Sequence, residues 1–136
     1  MPMFLKNKNK LQSRIDTLIS TDTRIEGNVI FSGGLRVDGQ IKGDVSEVPG
    51  TPSTLVLSEH GSIEGAVTVA RIVLNGEVRG PVHSTHDLEL LAKSRISGDV
   101  HYKSLEIHTG AIIEGRLVYV GESANAETPA ILEVKD

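Results

Sequence analysis

Ile25-Glu26-Gly27-Asn28-Val29 is the stretch that decides the fold, because its pattern of apolar, variable, glycine, variable and apolar residues returns five more times along the chain. The other copies are Ile41–Val45, Ile63–Val67, Val78–Val82, Ile96–Val100 and Ile113–Leu117. Their central glycines lie 16, 22, 15, 18 and 17 residues apart. That period is too short for helical repeats and typical of one turn of a β-solenoid. The sequence therefore predicts a repeat protein of about six rungs.

A second set of apolar columns lies upstream of each copy and alternates with polar residues, as expected of strands with one buried face. These pairs are Leu35/Val37, Leu55/Leu57, Ile72/Leu74, Leu88/Leu90 and Leu105/Ile107. A small residue stands four positions before each repeat glycine, and at Asp38-Gly39 and Asn75-Gly76 it marks a tight turn. From the residues alone, each rung reads as strand, corner, strand, corner.

One polar column supports the same register. The residue before each repeat glycine is predicted to point outward, and in neighbouring rungs these side chains lie about 4.8 Å apart. The column reads Glu26, Lys42, Glu64, Arg79, Ser97, Glu114. Its first four members alternate in sign, which favours cross-strand pairing.

Composition agrees with an all-β, single-domain solenoid. The chain has 136 residues, only two Phe and two Tyr, and no Cys. A core built on aromatic rings, a disulfide framework and a thiolate metal site are therefore not expected. No apolar run reaches the length of about 18 residues that a membrane span needs, and residues 1–20 do not resemble a secretory signal. We expect a cytoplasmic protein.

The charge distribution divides the chain into three segments. The formal net charge is −4, made up of +3 in residues 1–20, −3 in residues 121–136 and −4 between them. We expect a flexible N-terminal tail (1–20), a β-helix domain (21–120) and a flexible acidic C-terminal tail (121–136). Ser46 to Ser53 is an insertion at a corner, because Pro49 and Pro52 cannot continue a paired strand. The mildly acidic body argues against nucleic acid as a partner.

The N-terminal tail carries a candidate membrane-binding motif. Met3, Phe4 and Leu5 form an apolar cluster directly before Lys6 and Lys8. Such a cluster can insert into a bilayer while the lysines meet anionic headgroups, each contributing about 1 kcal/mol near the surface. An ordinary solvated leader is the alternative interpretation of these residues.

The ends of the predicted rod lack an evident cap. Each interior rung pairs with two others, whereas the first and last rungs would expose a strand edge and part of the core. We expect self-assembly by stacking of ends. The predicted polymer interface comprises Ile25 and Val29 in the first rung and Leu105, Ile107, Leu117 and Tyr119 in the last.

No catalytic or cofactor site is predicted. His83 and His86 form an H-x-x-H pair, but three-residue spacing places them on opposite faces of a strand, so no metal site is assigned to them. The chain has no phosphate-binding loop, dinucleotide fingerprint or nucleophile elbow, and its carboxylates lie at regular outward positions. We therefore expect neither an enzyme nor a nucleotide requirement.

The segment Phe31-Ser32-Gly33-Gly34-Leu35-Arg36-Val37-Asp38-Gly39, with Ile15–Ile19 and Thr23–Gly27 before it, resembles the bactofilins, bacterial polymer-forming cytoskeletal proteins. The resemblance covers about residues 15–120. It implies a right-handed, three-sided β-helix that polymerises without nucleotide. It also implies binding to the inner membrane through a motif similar to Met3-Phe4-Leu5-Lys6, and a role in cell-wall synthesis or cell shape, with cell-wall enzymes as partners.

Two other functions remain open at this stage. A left-handed hexapeptide-repeat acyltransferase also has about 18 residues per turn, but its small aliphatic residue at every sixth position is not found here. A monomeric β-helix that binds polysaccharide would be expected to expose ladders of aromatic residues, and the chain has only four aromatic residues.

Overall fold

Residues 15–121 are described by a computed structural model, together with the backbone of two short strands beyond them. The predicted membrane motif at Met3–Lys8 lies outside the described residues. Strands and turns account for the regular structure of the described part, and no helix there has the length and apolar character needed to cross a membrane. The prediction of an all-β solenoid is confirmed.

The strands follow one another in a regular winding order. They are β1 (Thr17–Ile19), β2 (Arg24–Glu26), β3 (Val29–Phe31), β4 (Gly34–Val37), β5 (Gln40–Lys42), β6 (Val45–Glu47), β7 (Thr54–Leu57), β8 (Ser62–Glu64), β9 (Val67–Leu74), β10 (Glu77–Arg79), β11 (Val82–Leu90), β12 (Arg95–Ser97), β13 (Val100–Tyr102), β14 (Ser104–Ile107), β15 (Ile112–Glu114), β16 (Leu117–Tyr119), β17 (Glu127–Thr128) and β18 (Leu132–Glu133).

Each turn contributes one stretch of strand to each of three faces, and the stretches on one face pair from turn to turn. The result is a three-sided rod of six turns. The first face stacks β1, β4, β7, the second half of β9, the second half of β11, and β14. The second face stacks β2, β5, β8, β10, β12 and β15. The third stacks β3, β6, the start of β9, the start of β11, β13 and β16. All of these pairs are parallel, because each turn winds in the same direction as the last.

Each turn has three strands rather than the two that the residues alone suggested. The repeated five-residue pattern is not one strand, because its glycine forms the corner between the second and third faces. Gly43 has a φ of 157°, and a Cβ placed on it would lie 2.1 Å from the carbonyl oxygen of Gly27 in the preceding turn. Glycine is thus required for both its dihedral angle and its lack of a side chain. The three sides implied by the bactofilin resemblance are therefore present.

The core lies along the axis of the rod and is built from the predicted columns. Leu35, Leu55, Ile72 and Leu88 stack in register on the first face and are at most 1% exposed. The Val column of the third face is equally buried from Val45 to Val100. Branched aliphatic side chains suit this arrangement because identical shapes can stack at the strand spacing.

The outward column confirms the predicted register. Glu26 lies opposite Lys42, Lys42 opposite Glu64, and Glu64 opposite Arg79. The ion pair formed by Arg79, however, is within its own strand, with 3.1 Å between its Nε atom and Glu77 Oε2. Glu77 is accordingly the main cause of the raised pKa of Arg79, and the charge of Glu64 adds less.

The residue after each repeat glycine links one turn to the next. Asn28 Oδ1 accepts a hydrogen bond of 2.8 Å from the backbone N–H of Asp44, and Asp44 Oδ1 accepts one of 2.9 Å from that of Ala66. Asp99 Oδ1 accepts in the same way from Arg116. Between them the Ala66 side chain has no acceptor atom, and Pro81, in the following turn, has no N–H to donate. The gap in the ladder therefore leaves no unsatisfied donor at Pro81.

The predicted insertion forms a loop between β6 and β7, and its ends are anchored. Glu47 Oε1 accepts hydrogen bonds of 2.9 Å from the backbone N–H groups of Ser53 and Ala70. Ser53 is 3% exposed, and its hydroxyl accepts a bond from the N–H of Gly33. Residues 48–52 between these anchors are exposed. The extra length is thus accommodated outside the stack.

Two strands after the last turn run in the opposite direction. β17 pairs antiparallel with β16, placing Thr128 opposite Leu117 and Glu127 opposite Val118. β18 pairs antiparallel with β15, placing Leu132 opposite Ile113 and Glu133 opposite Ile112. We expected this end to be open, but strands of the same chain pair with two of the three strands of the last turn.

Candidate polymerisation surfaces

The N-terminal end of the rod presents three strand edges. Within the described part of the chain β1 pairs only with β4, β2 only with β5, and β3 only with β6. Their other edges carry backbone N–H and C=O groups in the arrangement that the next turn would use. Such edges are templates for a further strand.

Apolar side chains at this end are incompletely covered. Ile25 and Val29 pack against the core but remain half-buried, whereas their counterparts in the next turn, Ile41 and Val45, are at most 1% exposed. Gly27 shows the same difference, because a Cβ built on it meets no described atom within 4 Å. At the other repeat corners that position is filled by a carbonyl of the preceding turn. Within the described residues, the first turn thus lacks the covering turn that every later turn has.

The rim of this end is polar and charged. Arg24 and Glu26 form an ion pair of 3.1 Å in β2, with side chains 51% and 68% exposed. An exposed pair of this kind contributes at most about 1 kcal/mol to stability. Any surface that contacted this end would be restricted in its orientation, because like charges brought together there would be unfavourable.

The C-terminal end differs in its backbone. β14 pairs only with β11 among the described strands, so its outer edge is open, but β15 and β16 are paired with β18 and β17. Leu105, Ile107 and Leu117 pack against the core and are half-buried. Tyr119 is 38% exposed and packs against Tyr102, with ring centroids 5.9 Å apart.

The six predicted interface residues therefore form two separate groups. Ile25 and Val29 lie together in the first turn, and Leu105, Ile107, Leu117 and Tyr119 lie in the sixth. Six turns at the strand spacing separate the two ends by about 25 to 30 Å. The groups can meet only between copies of the chain, and their role as an interface stays a prediction.

The histidines are arranged differently from the H-x-x-H pattern. His83 pairs in register with His101 of the next turn, and the rings stack with centroids 4.0 Å apart and planes 12° from parallel. Burial lowers the pKa of His83, and the nearby His101 lowers it further. His86 instead lies 3.1 Å from the hydroxyl of Thr85 through its Nδ1 atom.

One further cluster has metal-ligand chemistry. Glu89 and Glu106 lie directly opposite each other on the first face, and His108 Nε2 is 2.9 Å from Glu89 Oε2 and 3.5 Å from Glu106 Oε2. Two carboxylates in this position repel each other, so a cation between them is favourable. The two carboxylates and the His108 ring are close enough together to hold a metal ion. All three side chains are substantially exposed.

Comparison with known proteins agrees with the rod and its repeated corners. The family signature described as "Bactofilin: Polymer-forming cytoskeletal" matches residues 17–118. The chain belongs to the bactofilin family. The matched span begins at the first strand of the rod and ends inside β16, so the signature corresponds to the six turns.

Two curated bactofilins of Myxococcus xanthus (strain DK1622) are similar to the chain. Bactofilin BacP is 27% identical over 119 residues, which are 87% of this chain and 48% of BacP. Bactofilin BacO is 24% identical over 102 residues, which are 75% of this chain and 78% of BacO. The chain thus spans about half the length of BacP. No solved structure matched significantly.

Sequence reasoning missed the two reversed strands. The signal available was the short apolar run Ala130-Ile131-Leu132 in an otherwise polar tail, followed by alternation at Glu133 and Val134. It was too short to distinguish from chance, and it does not follow the repeat columns.

Proposed function

We propose that this bactofilin is a structural protein that assembles without nucleotide into filaments, by stacking the β-helix of one copy end to end on that of another. The observation that carries the proposal is the N-terminal end of the rod. There the edges of β1, β2 and β3 lie beside Ile25 and Val29, which are half-buried in the single chain. A second copy would supply both the missing strands and the missing cover.

The energetic terms favour contact through whole turns. Full burial of an Ile or Val side chain contributes about 1.5 to 3 kcal/mol, and each net backbone hydrogen bond about 0.5 to 1.5 kcal/mol. Association costs about 4 to 15 kcal/mol in lost freedom. The hydrogen bonds of a single strand can barely offset that cost. Three strands and the apolar end of the core together can exceed it.

Attachment to a membrane belongs to the same proposal. We place the filament in the cytoplasm, peripheral at the inner face of the cell membrane, held there by Met3, Phe4, Leu5, Lys6 and Lys8. One small apolar cluster binds a bilayer only marginally, but a filament presents many copies at once. Such an array is suited to serve as a scaffold for cell shape or cell-wall synthesis and to gather cell-wall enzymes.

Electron microscopy of the purified protein tests the assembly directly. We expect filaments of equal abundance with or without ATP, GTP or divalent metal, because no phosphate-binding loop occurs in the chain. Light scattering that rises only after nucleotide is added would contradict the proposal. A discrete trimer in sedimentation would favour the acyltransferase alternative, and a monomer would favour the binding module.

Substitution at one end separates assembly from folding. Leu117→Arg should abolish filaments while the strand-type circular dichroism stays nearly unchanged, because only the last turn loses packing and the joint gains an unpaired charge. The matched control is Val67→Arg, in the same column but fully buried in the third turn, which should unfold the domain. Filaments of normal length from Leu117→Arg would place the joint elsewhere.

A further inference from the structure

The two ends of the rod differ in what is left for a second copy to pair with. At the N-terminal end the outer edges of β1, β2 and β3 are open within the described chain. At the C-terminal end β17 and β18 occupy the outer edges of β16 and β15, and only β14 keeps an open edge. A strand edge forms hydrogen bonds with one neighbour at a time. The chain's own C-terminal strands and a second copy therefore exclude each other on two of the three faces.

The reversed strands are themselves poor templates for further pairing. Each is two residues long, and Pro129, which has no backbone N–H, directly follows β17. Short strands and proline are both features that block addition of another strand at a sheet edge. Their direction also departs from the parallel order of the rod, so the parallel stack cannot continue through them.

We propose that the C-terminal strands β17 and β18 are an intramolecular cap that competes with a second copy of the chain for the C-terminal end of the rod. This inference rests on the proposed function, since it concerns the same end-to-end joint. With the cap in place, copies can join only through their N-terminal ends, which stops at a dimer. Filament growth requires the cap to leave, and the apparent affinity at this joint is reduced by the fraction of chains that are capped.

A reversible covalent lock of the cap tests the competition in the full chain. The chain has no Cys, so Val118→Cys combined with Glu127→Cys creates a single possible pair. These two residues lie directly opposite in the antiparallel ladder, where Cα atoms are about 4.5 to 5.5 Å apart and a disulfide can form. Glu127→Cys alone is the matched control, since it alters the same strand but cannot lock it.

We expect the oxidised double variant to run as a single chain on a non-reducing gel and to sediment as nothing larger than a dimer, without filaments. Adding dithiothreitol should restore filaments, and the control should form them under both conditions. Thr128→Pro with Leu132→Pro, which weakens the pairing of both strands, should lower the protein concentration needed for filaments several-fold.

Three results would overturn the inference. Filaments of unchanged length from the oxidised, internally bridged chain would show that the cap does not block the joint, while the proposed function stands. Disulfide-linked dimers would show that the strands pair with a neighbouring copy instead. If neither the reduced double variant nor the unmodified chain forms filaments, the proposed function itself fails and this inference with it.

Discussion

The stacked rings of His83 and His101 illustrate how a repeat places like residues in contact. The column that contains His83 has Ser46 in the second turn and Thr68 in the third. Only the fourth and fifth turns have histidine in this column. The Nδ1 atom of His101 is buried without a hydrogen-bond partner in the described residues. Burial of the neighbouring His83 ring disfavours a positive charge on His83.

The first prediction is that acid weakens the fold through His83. Burial lowers the pKa of His83 from its usual value of about 6.5, so the unfolded chain binds a proton more readily than the folded one. The contribution to the free energy of unfolding is fully present above about pH 6.5 and is lost as the pH falls through the lowered pKa of His83. Urea denaturation at pH 7.5 and at pH 5 gives the two free energies of unfolding whose difference measures this contribution.

His83→Thr is the matched variant, because Thr68 already occupies the same column one turn earlier. It should reduce the difference in unfolding free energy between the two pH values. The same difference in both proteins would contradict the assignment to His83. His86→Thr is the control, since it also replaces a histidine by threonine but lies outside the stacked pair.

Among the elements, the corner between the second and third faces is the most constrained. Gly65 has a φ of 153°, and a Cβ on it would lie 2.2 Å from the carbonyl oxygen of Gly43. Gly50, in the exposed insertion, also has a positive φ, of 81°, but its Cβ would meet nothing within 4 Å. Substitution of Gly50 therefore tests the cost of a positive φ alone, whereas substitution of Gly65 also tests the close approach of neighbouring turns.

We predict that Gly65→Ala destabilises the rod by more than Gly50→Ala. Positive φ alone costs an L-residue about 1 to 2 kcal/mol, which is the loss expected for Gly50→Ala. Gly65→Ala should cost about 3 kcal/mol or more, because the turns must also move apart. Thermal unfolding of both variants compares them, and equal losses would show that the backbone contact is relieved without cost.

The limits of sequence reasoning follow from these elements. The Leu and Val columns and the register of Glu26, Lys42 and Glu64 were predictable, because they repeat at every turn. The corner at the glycine of each five-residue repeat was not predictable, since one glycine between apolar residues is compatible with either a strand or a corner. The stacking of His83 on His101 requires the register of two particular turns. The handedness of the winding stays a prediction from the family resemblance.

At the scale of the whole molecule, attachment and assembly should be separable. The predicted membrane motif, Met3 to Lys8, lies before the first strand at Thr17, so removing residues 1–10 leaves every described strand intact. We predict that this deletion preserves filaments but releases them from anionic liposomes in co-sedimentation. Phe4→Ser with Leu5→Ser should have the same effect in the chain without the deletion. Unchanged liposome binding by the deletion would refute the motif.

The insertion at residues 48–52 has a consequence for the dimensions of the rod and of the proposed filament. Turns of 15 and of 22 residues each advance the rod by one strand spacing of about 4.8 Å, because the extra residues leave the stack between Glu47 and Ser53. The number of turns therefore sets the length of the rod, and residues added at a corner widen the rod without lengthening it. Copies with different corner loops, or with a reporter inserted near Gly50, can share one axial repeat within the same polymer.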